Sequence, residues 1–232
     1  MGHLGIEWYN AVAARDGGYR RTWDSEFEGP DGETAFTGWL RRTIPSHPRV
    51  LDVGCGDGLY TLVMSSLAER VTGTDYAENM IRLAERHKRE AALTNVDFVW
   101  TGGRVEVYPF PDRAFDLIYS RRGPTSHLAD ARRMLRPGGL VAGIHSGDRE
   151  RVLERLAVNG YELLAGDEYA GTERLKTLRD LALWLSRIPG APDYTAPEMA
   201  GDLERIASTY ERSNRGITVP HWRFIWVARW NG

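Results

Sequence analysis

Short apolar runs alternate along the chain with segments in which apolar residues recur every three or four positions. The run at 50–53 has the length and β-branched content of a buried parallel strand, and a segment of helical period follows it. Runs near 70, 95, 115 and 140 repeat this order of strand and helix. The pattern predicts an α/β protein whose sheet is mostly parallel.

The two ends of the chain depart from this order. Residues 1–48 show helical periods and no strand signal, so we expect a helical cap or lid before a main domain at 49–232. Residues 175–213 read as an insertion of two helices around a break rich in Pro and Gly. The final run, 221–230, alternates strictly and places its aromatic residues on one face, which predicts a last strand.

A glycine-rich turn follows the first strand of the main domain. Glycines stand at 54, 56 and 58, and the next strand ends on Asp75. Such a turn lets backbone approach a ligand closely, and the helix that follows offers unpaired N–H donors. An acid about twenty positions further on is placed to accept hydrogen bonds from two ribose hydroxyls. The stretch is typical of a nucleoside-binding βαβ unit.

The charge of the turn indicates which nucleoside it binds. Asp52 precedes the first glycine, Asp57 lies inside the turn, and no Lys is present. Two carboxylates beside a pyrophosphate would repel it, which disfavours a dinucleotide or ATP. A ligand that carries an ammonium and a sulfonium group would be attracted.

The run L-D-V-G-C-G-D-G, followed by T-G-T-D, resembles motif I and the acidic motif of class I S-adenosylmethionine-dependent methyltransferases. The later runs P-F-P-D and R-M-L-R-P-G-G are similar to that family as well. The resemblance implies a doubly wound, seven-stranded, mostly parallel sheet with an antiparallel last strand. It also implies S-adenosylmethionine as cofactor and S-adenosylhomocysteine as product.

Carried onto this sequence, the resemblance implies a cofactor site made of Asp52, Gly54, Cys55, Gly56, Asp57, Asp75, Tyr76, Met80, Gly103, Arg104, Val105 and Ser120. Met80 would pack against adenine, although core packing alone explains it equally well. Arg104 stands where the family usually has an acid that meets the adenine amino group. Glu106, backbone groups of the segment, or stacking of adenine would then replace that acid.

Acceptor residues are less clearly marked. The aromatic N-terminal arm supplies the lid candidates Tyr9, Tyr19, Trp23 and Glu28, which could instead pack a cap onto the core. Arg121 and Arg122 follow a strand at its carboxyl end and could bind a carboxylate or phosphate of the acceptor, or be solvated. His145 and His127 are the candidate general bases by location. No spacing of His, Cys, Asp and Glu predicts a metal site.

Composition narrows the class of protein. A net charge of −2 and a pI of about 6.3 give no basic field that calls for nucleic acid or an anionic membrane. Cys55 is the single cysteine, which fits a reducing compartment, and no apolar run is long enough to span a bilayer. We therefore expect a cytoplasmic protein, as a monomer or a homodimer.

Three functions remain open from the sequence. The first is methyl transfer to a small-molecule acceptor, an activity of class EC 2.1.1. The second is methylation of ribosomal or transfer RNA, in which arginine pairs such as Arg121 and Arg122 would contact phosphates. The third is a non-catalytic S-adenosylmethionine-binding protein, which the unusual Arg104 and the lack of an obvious base motivate.

Overall fold

The apolar runs form one mixed β-sheet in the computed structural model, which describes residues 4–18, 21–102, 106–147, 149–188 and 190–232. Within these residues the strands are β1 (Ser25–Glu28), β2 (Arg49–Val53), β3 (Arg70–Asp75), β4 (Val96–Trp100), β5 (Phe115–Arg121), β6 (Leu135–His145), β7 (Glu162–Leu175), β8 (Glu211–Ser213) and β9 (Gly216–Arg229). The sheet follows the order β1-β7-β9-β6-β5-β2-β3-β4, and β8 pairs with β9 off this path.

Five adjacent strands of the sheet, from β4 to β6 in spatial order, are parallel. β9 lies antiparallel between β6 and β7. The predicted mostly parallel sheet with an antiparallel last strand is thus confirmed. The predicted number of seven strands is wrong, because the described residues form nine.

The two additional strands, β1 and β8, are short and antiparallel to their neighbours. β1 also overturns the expectation that residues 1–48 contain no strand. Its sequence, Ser-Glu-Phe-Glu, is mostly exposed and shows no apolar run, so it gives no strand signal by itself. The strand forms because β7 offers an edge with which it pairs along its whole length.

The described helices are α1 (Leu4–Asp16), α2 (Gly32–Thr43), α3 (Leu59–Ser65), α4 (Glu78–Glu90), α5 (Leu128–Met134), α6 (Arg149–Val158), α7 (Leu178–Leu185) and α8 (Ala200–Ala207). Side-chain caps start two of them. Asp31 accepts a hydrogen bond from Glu33 N at 3.0 Å before α2. Thr177 and Asp180 form a capping box before α7, which begins the predicted helical insertion.

Alternate residues of the last strand face opposite sides of the sheet, as the alternating sequence predicts. Phe224, Trp226 and Ala228 pack into one hydrophobic cluster with residues of α5 and α6. Ile225 and Val227 pack into another cluster with residues of α2 and α3. β9 is therefore buried on both faces, between the helical layers of a doubly wound sheet.

Two smaller clusters attach the outer helices. One joins α7 and α8 to the ends of β7 and β9. The other joins α1 to α4 through Val12, Ala13, Met80 and Leu83. Among the residues that the structure describes, no helix is both long and apolar enough to cross a membrane.

Candidate active site at the carboxyl edge of the sheet

The glycine turn (residues 54–58) joins β2 to α3 where the parallel strands end. Gly54, Gly56 and Gly58 have φ angles of 78°, 57° and 75°, a left-handed region that favours glycine. A Cβ at Gly54 would lie 3.0 Å from Pro124 Cδ and 3.1 Å from Gly123 Cα. The turn therefore passes directly against the loop that follows β5, where no side chain would fit.

The Asp75 carboxylate lies beside this turn, at the end of β3. Its Oδ2 accepts a hydrogen bond from Gly56 N at 3.0 Å, and its Oδ1 accepts one from Ala77 N at 2.8 Å. Burial raises the pKa of this carboxyl, and hydrogen bonds from the backbone of Ala77, Gly56 and Tyr76 oppose the rise. Each oxygen retains a lone pair for a further donor. The structure thus brings the turn and the strand-end acid together, as the sequence predicts.

Asp52 lies under the turn and is 2% exposed. Thr61 Oγ1 and Tyr119 OH both donate to its Oδ2, at 2.7 and 2.9 Å. Burial raises the pKa of Asp52 to about 6, against the lowering effect of these two hydroxyls and of the Arg121 charge. An ionised Asp52 is therefore costly in the protein alone, and a cation beside it would lower that cost.

Asp57 and Cys55 complete the electronegative lining of the turn. Asp57 is buried, and Gly18, which follows α1, lies against its side chain. Burial raises the pKa of the Cys55 thiol, and the charges of Asp75, Asp52 and Asp57 raise it further. Cys55 is therefore an uncharged small residue here, and the carboxylates around it favour a cationic ligand over a phosphate.

Tyr76 and Met80, which the sequence analysis assigns to adenine, lie close to α1 and to the ends of β3 and β4. The Tyr76 ring meets the Tyr9 ring edge-on at 5.6 Å. Met80 is fully buried in the cluster between α1 and α4, where it packs with residues of the N-terminal helix. Trp100 is 47% exposed, and its Nε1 donates to Tyr76 O at 3.1 Å.

Some predicted residues lie outside the described part of the chain, namely Tyr19, Gly103, Arg104 and Val105. The lid candidates Trp23 and Glu28 lie instead at the far side of the sheet, where β7, β9, β6 and β5 separate β1 from β2. Trp23 Nε1 donates to Glu173 Oε1 at 2.9 Å, and Glu28 pairs with Arg174. Of the three lid candidates within the described residues, Tyr9 is the one that the structure brings to the predicted cofactor site, through its contact with Tyr76.

Ser120 and the two candidate histidines lie at the ends of β5 and β6. Ser120 Oγ donates to Val53 O at 2.9 Å, which ties β5 to the start of the turn. His127 is fully buried with Nδ1 2.8 Å from Pro124 O, and burial lowers its pKa to about 4. His145 is buried as well, and its ring lies parallel to that of Trp226 at 6.1 Å. Both side chains are packed groups, with little exposed surface.

Arg121 and Arg122 both pair with a carboxylate, although the Arg122 side chain is 47% exposed. Arg121 Nε lies 2.8 Å from Glu33 Oε2, and Arg122 Nε lies 3.5 Å from Glu33 Oε1. Arg223 on β9 joins them, with Nε 3.3 Å from Glu33 Oε1. Burial would raise the pKa of Glu33, but the charges of Arg122, Arg121 and Arg223 hold it below the usual range.

The sequence interpretation did not include Glu33, Thr61, Trp100, Tyr119 or Arg223. Trp100 could have been found, because an aromatic residue ends the strand next to Asp75. The other four are ordinary members of amphipathic elements, and no local signal marks them. Among the described residues, no group of three or more His, Cys, Asp or Glu could hold a metal ion.

Comparison with known proteins places this arrangement in context. Residues 50–139 match a family model described as a methyltransferase domain. A ubiquinone biosynthesis O-methyltransferase from Maricaulis maris is 32% identical over 168 residues, which cover 69% of this chain and 61% of that protein. A demethylmenaquinone methyltransferase from Listeria welshimeri is 35% identical over 120 residues, or 46% of this chain and 50% of that protein. The chain thus spans between half and 61% of the length of these two relatives.

Solved structures extend the similarity over almost the whole chain. A functionally unknown protein from Deinococcus radiodurans R1 superposes with a TM-score of 0.72 and 28% identity, covering 96% of this chain and 99% of that one. A putative methyltransferase from Bacillus halodurans superposes with a TM-score of 0.65 and 17% identity, covering 84% and 98%. The second likeness concerns the fold alone.

Proposed function

We propose that this chain, which belongs to the class I S-adenosylmethionine-dependent methyltransferases, transfers a methyl group from S-adenosylmethionine to a small-molecule acceptor. The observation that carries the proposal is the hydrogen bond from Gly56 N to Asp75, which joins the glycine turn to the strand-end acid at the carboxyl edge. The names of two relatives, a ubiquinone biosynthesis O-methyltransferase and a demethylmenaquinone methyltransferase, support a small-molecule acceptor.

The charge of the described residues supports such a cofactor. Asp75 would accept from the ribose hydroxyls, and the glycine turn with Asp52 and Asp57 would hold the methionine part. Tyr76 and Met80, together with the segment 103–105, would enclose adenine. When bound, the cofactor supplies a methyl group on a positively charged sulfur. The surrounding carboxylates would attract that charge, and the packed turn would orient the methyl group toward the acceptor. Such positioning would supply most of the acceleration of methyl transfer.

A substitution at Asp75 tests the cofactor site. Asp75→Asn keeps the size of the side chain but removes the charge that strengthens hydrogen bonds to hydroxyls, so we expect S-adenosylhomocysteine to bind about 10- to 100-fold more weakly. Calorimetric titration measures this change. Asp97→Asn, on the neighbouring strand, is the control, because Asp97 pairs with Arg70 away from the turn. Equal affinities of wild type and Asp75→Asn would contradict the assignment.

For an acceptor with a hydroxyl or amine proton, we propose His145 as the base, with His127 as the second candidate. His145→Gln should lower kcat/KM by about 10²- to 10⁴-fold and remove the acidic limb of its pH profile. His127→Gln should leave that limb in place, because burial lowers the pKa of His127 to about 4. The measurement is the pH profile of both variants with an acceptor found by screening. Full activity of His145→Gln would exclude it as the base.

We further propose a cytoplasmic location and a monomeric or homodimeric state. The single cysteine is buried and uncharged, which fits a reducing compartment. Sedimentation of the purified protein distinguishes the two oligomeric states.

A further inference from the structure

Three arginines from two strands meet one carboxylate at the carboxyl edge of the sheet. Arg121 and Arg122 lie at the end of β5, and Arg223 comes from β9. All three pair through Nε with Glu33, in the first turn of α2. We call Arg121, Arg122 and Arg223 the arginine cluster. The side chains of Arg121 and Arg223 are 28% and 16% exposed, so water screens their charges less than that of Arg122, which is 47% exposed.

Arg121 has hydrogen-bonding capacity that the described residues do not use. Its Cζ lies 4.4 Å from the centre of the Tyr60 ring, a cation–π contact that helps to hold the side chain in place. Among the described residues, Glu33 is the acceptor that it contacts, through Nε alone. The two terminal nitrogens thus remain as a fork that matches a carboxylate in geometry.

Arg122 is held in an uncommon backbone conformation. Its φ is 61°, in the left-handed region that a residue with a long side chain rarely adopts. A hydrogen bond from Arg122 N to Ile144 O at 2.9 Å maintains this conformation. Such strain persists where surrounding structure enforces it, and it is concentrated at functional sites. Here it turns the chain directly after β5, next to the glycine turn.

The cluster lies next to the proposed cofactor site and is open to ligands. Tyr60, under Arg121, is the second residue of the helix that the glycine turn starts. A shallow groove of about 390 Å³, open to solvent, runs along α2 and is lined by Glu33, Thr34, Thr37, Gly38 and Arg41. The groove reaches Glu33 but none of the three arginines of the cluster. The open side of the cluster is Arg122, whose side chain is 47% exposed, so a ligand can approach the cluster from solvent there.

We propose that the arginine cluster binds a carboxylate of the methyl acceptor, and that Glu33 is an internal counter-ion which this carboxylate displaces or joins. The cluster already binds one carboxylate, that of Glu33, and Arg121 has further donors for a second one. It also lies beside the place where the proposed cofactor would present its methyl group. The inference rests on the proposed function and specifies its substrate class as carboxylic acids.

The first test uses benzoate and benzamide, which have the same shape and differ in charge. The thermal midpoint of the protein saturated with S-adenosylhomocysteine is measured with each compound at constant ionic strength. We expect benzoate to raise the midpoint in a saturable manner and benzamide to leave it unchanged. Equal effects of the two compounds would overturn the proposal.

Variants identify the place of binding. Arg121→Gln and Arg223→Gln should each weaken the response to benzoate, whereas Arg49→Gln should retain it. Arg49 is the matched control, because it is similarly shielded and pairs with Asp116 at the opposite edge of the sheet. Glu33→Gln should strengthen benzoate binding about tenfold, because it removes a like charge at contact distance. A purely structural cluster would give equal or weaker binding in Glu33→Gln, which would overturn the proposal.

The amino-acid part of the cofactor also has a carboxylate. A separate measurement therefore distinguishes whether the arginine cluster binds the carboxylate of the acceptor or that of the cofactor. Arg121→Gln is titrated with S-adenosylhomocysteine and with 5′-methylthioadenosine, which lacks the amino-acid part. Unchanged affinity for both would support an acceptor site. Loss of affinity for S-adenosylhomocysteine alone would assign the cluster to the cofactor and overturn the proposal. Failure of the wild type to bind S-adenosylhomocysteine at all would instead contradict the proposed function.

Discussion

At the scale of single residues, Asp52 is the carboxylate whose burial would favour a cation at the glycine turn. The carboxylate is buried with two hydroxyl donors on one oxygen. Those donors compensate burial only in part, because the pKa still rises to about 6. The protein alone therefore carries an electrostatic cost at neutral pH that a positively charged ligand would lower.

This cost predicts a pH-dependent stability. Between about pH 4 and 6 the folded protein keeps a proton on Asp52 that the unfolded chain releases, so this group makes stability fall as pH rises through that window. Asp52→Asn lacks the effect, and Thr61 and Tyr119 can still bond to the amide. Its stability relative to wild type should increase by about 2 kcal/mol between pH 4.5 and pH 8.

Urea unfolding of the ligand-free proteins at both pH values measures the change. The same variant should bind S-adenosylhomocysteine more weakly, which separates the ligand site from simple stabilisation. A stability difference that does not depend on pH would show that Asp52 is ionised at no cost in the folded protein.

At the scale of elements, Glu173 on β7 connects segments that are far apart in the chain. It is 3% exposed, and its Oε1 accepts hydrogen bonds from Trp23 Nε1 and Ser25 Oγ, at 2.9 and 2.5 Å. Its Oε2 accepts from Trp184 Nε1 at 3.1 Å. One carboxylate thus attaches both the arm that contains β1 and the helix α7 to the sheet.

Glu173→Gln should loosen these segments. A glutamine has one acceptor oxygen, so its amide nitrogen would face an indole N–H, and loss of hydrogen bonds to a charged group costs at least about 2 kcal/mol. We expect lower stability and faster proteolysis near 186–197. Glu26→Gln is the control, because Glu26 is an exposed residue of β1. Equal proteolysis of the two variants would show that Glu173 does not attach β1 and α7 to the sheet.

At the scale of the whole molecule, one sheet carries both the site and the caps. Its parallel half presents the glycine turn and Asp75, while its antiparallel half, with β7 and β9, supports α7 and α8. The first helix and the last strand contact the sheet at different places. α1 packs on α4, whereas β9 lies inside the sheet, between β6 and β7. Ligand binding at the turn should therefore stabilise the fold as a unit.

S-adenosylhomocysteine at 100 times its Kd should stabilise the protein by about 2.7 kcal/mol. For a chain of this size we expect a rise in Tm of roughly 5–10 °C, measured by calorimetry. Asp75→Asn should show a smaller rise at the same concentration. A larger rise with NADH would indicate a dinucleotide site, and would contradict the interpretation of the acidic turn.

The sequence by itself determined what is local. The βαβ unit with its glycine turn and Asp75, and the alternation of β9, depend on residues close together in the chain, so spacing and periodicity indicate them. The cofactor class followed from the acidic turn and the family resemblance, because charge can be read without coordinates.

Tertiary structure alone decided what depends on distant pairing. β1 forms because β7 lies beside it, and Trp23 packs against the hydrophobic cluster of α7 and α8 instead of covering the turn. Glu33 and Arg223 are 190 positions apart, so no spacing predicts their ion pair. Packing of α1 on Met80 likewise depends on where the sheet places α4. Contacts of this kind form only when distant parts of the chain fold together, so no short stretch of sequence predicts them.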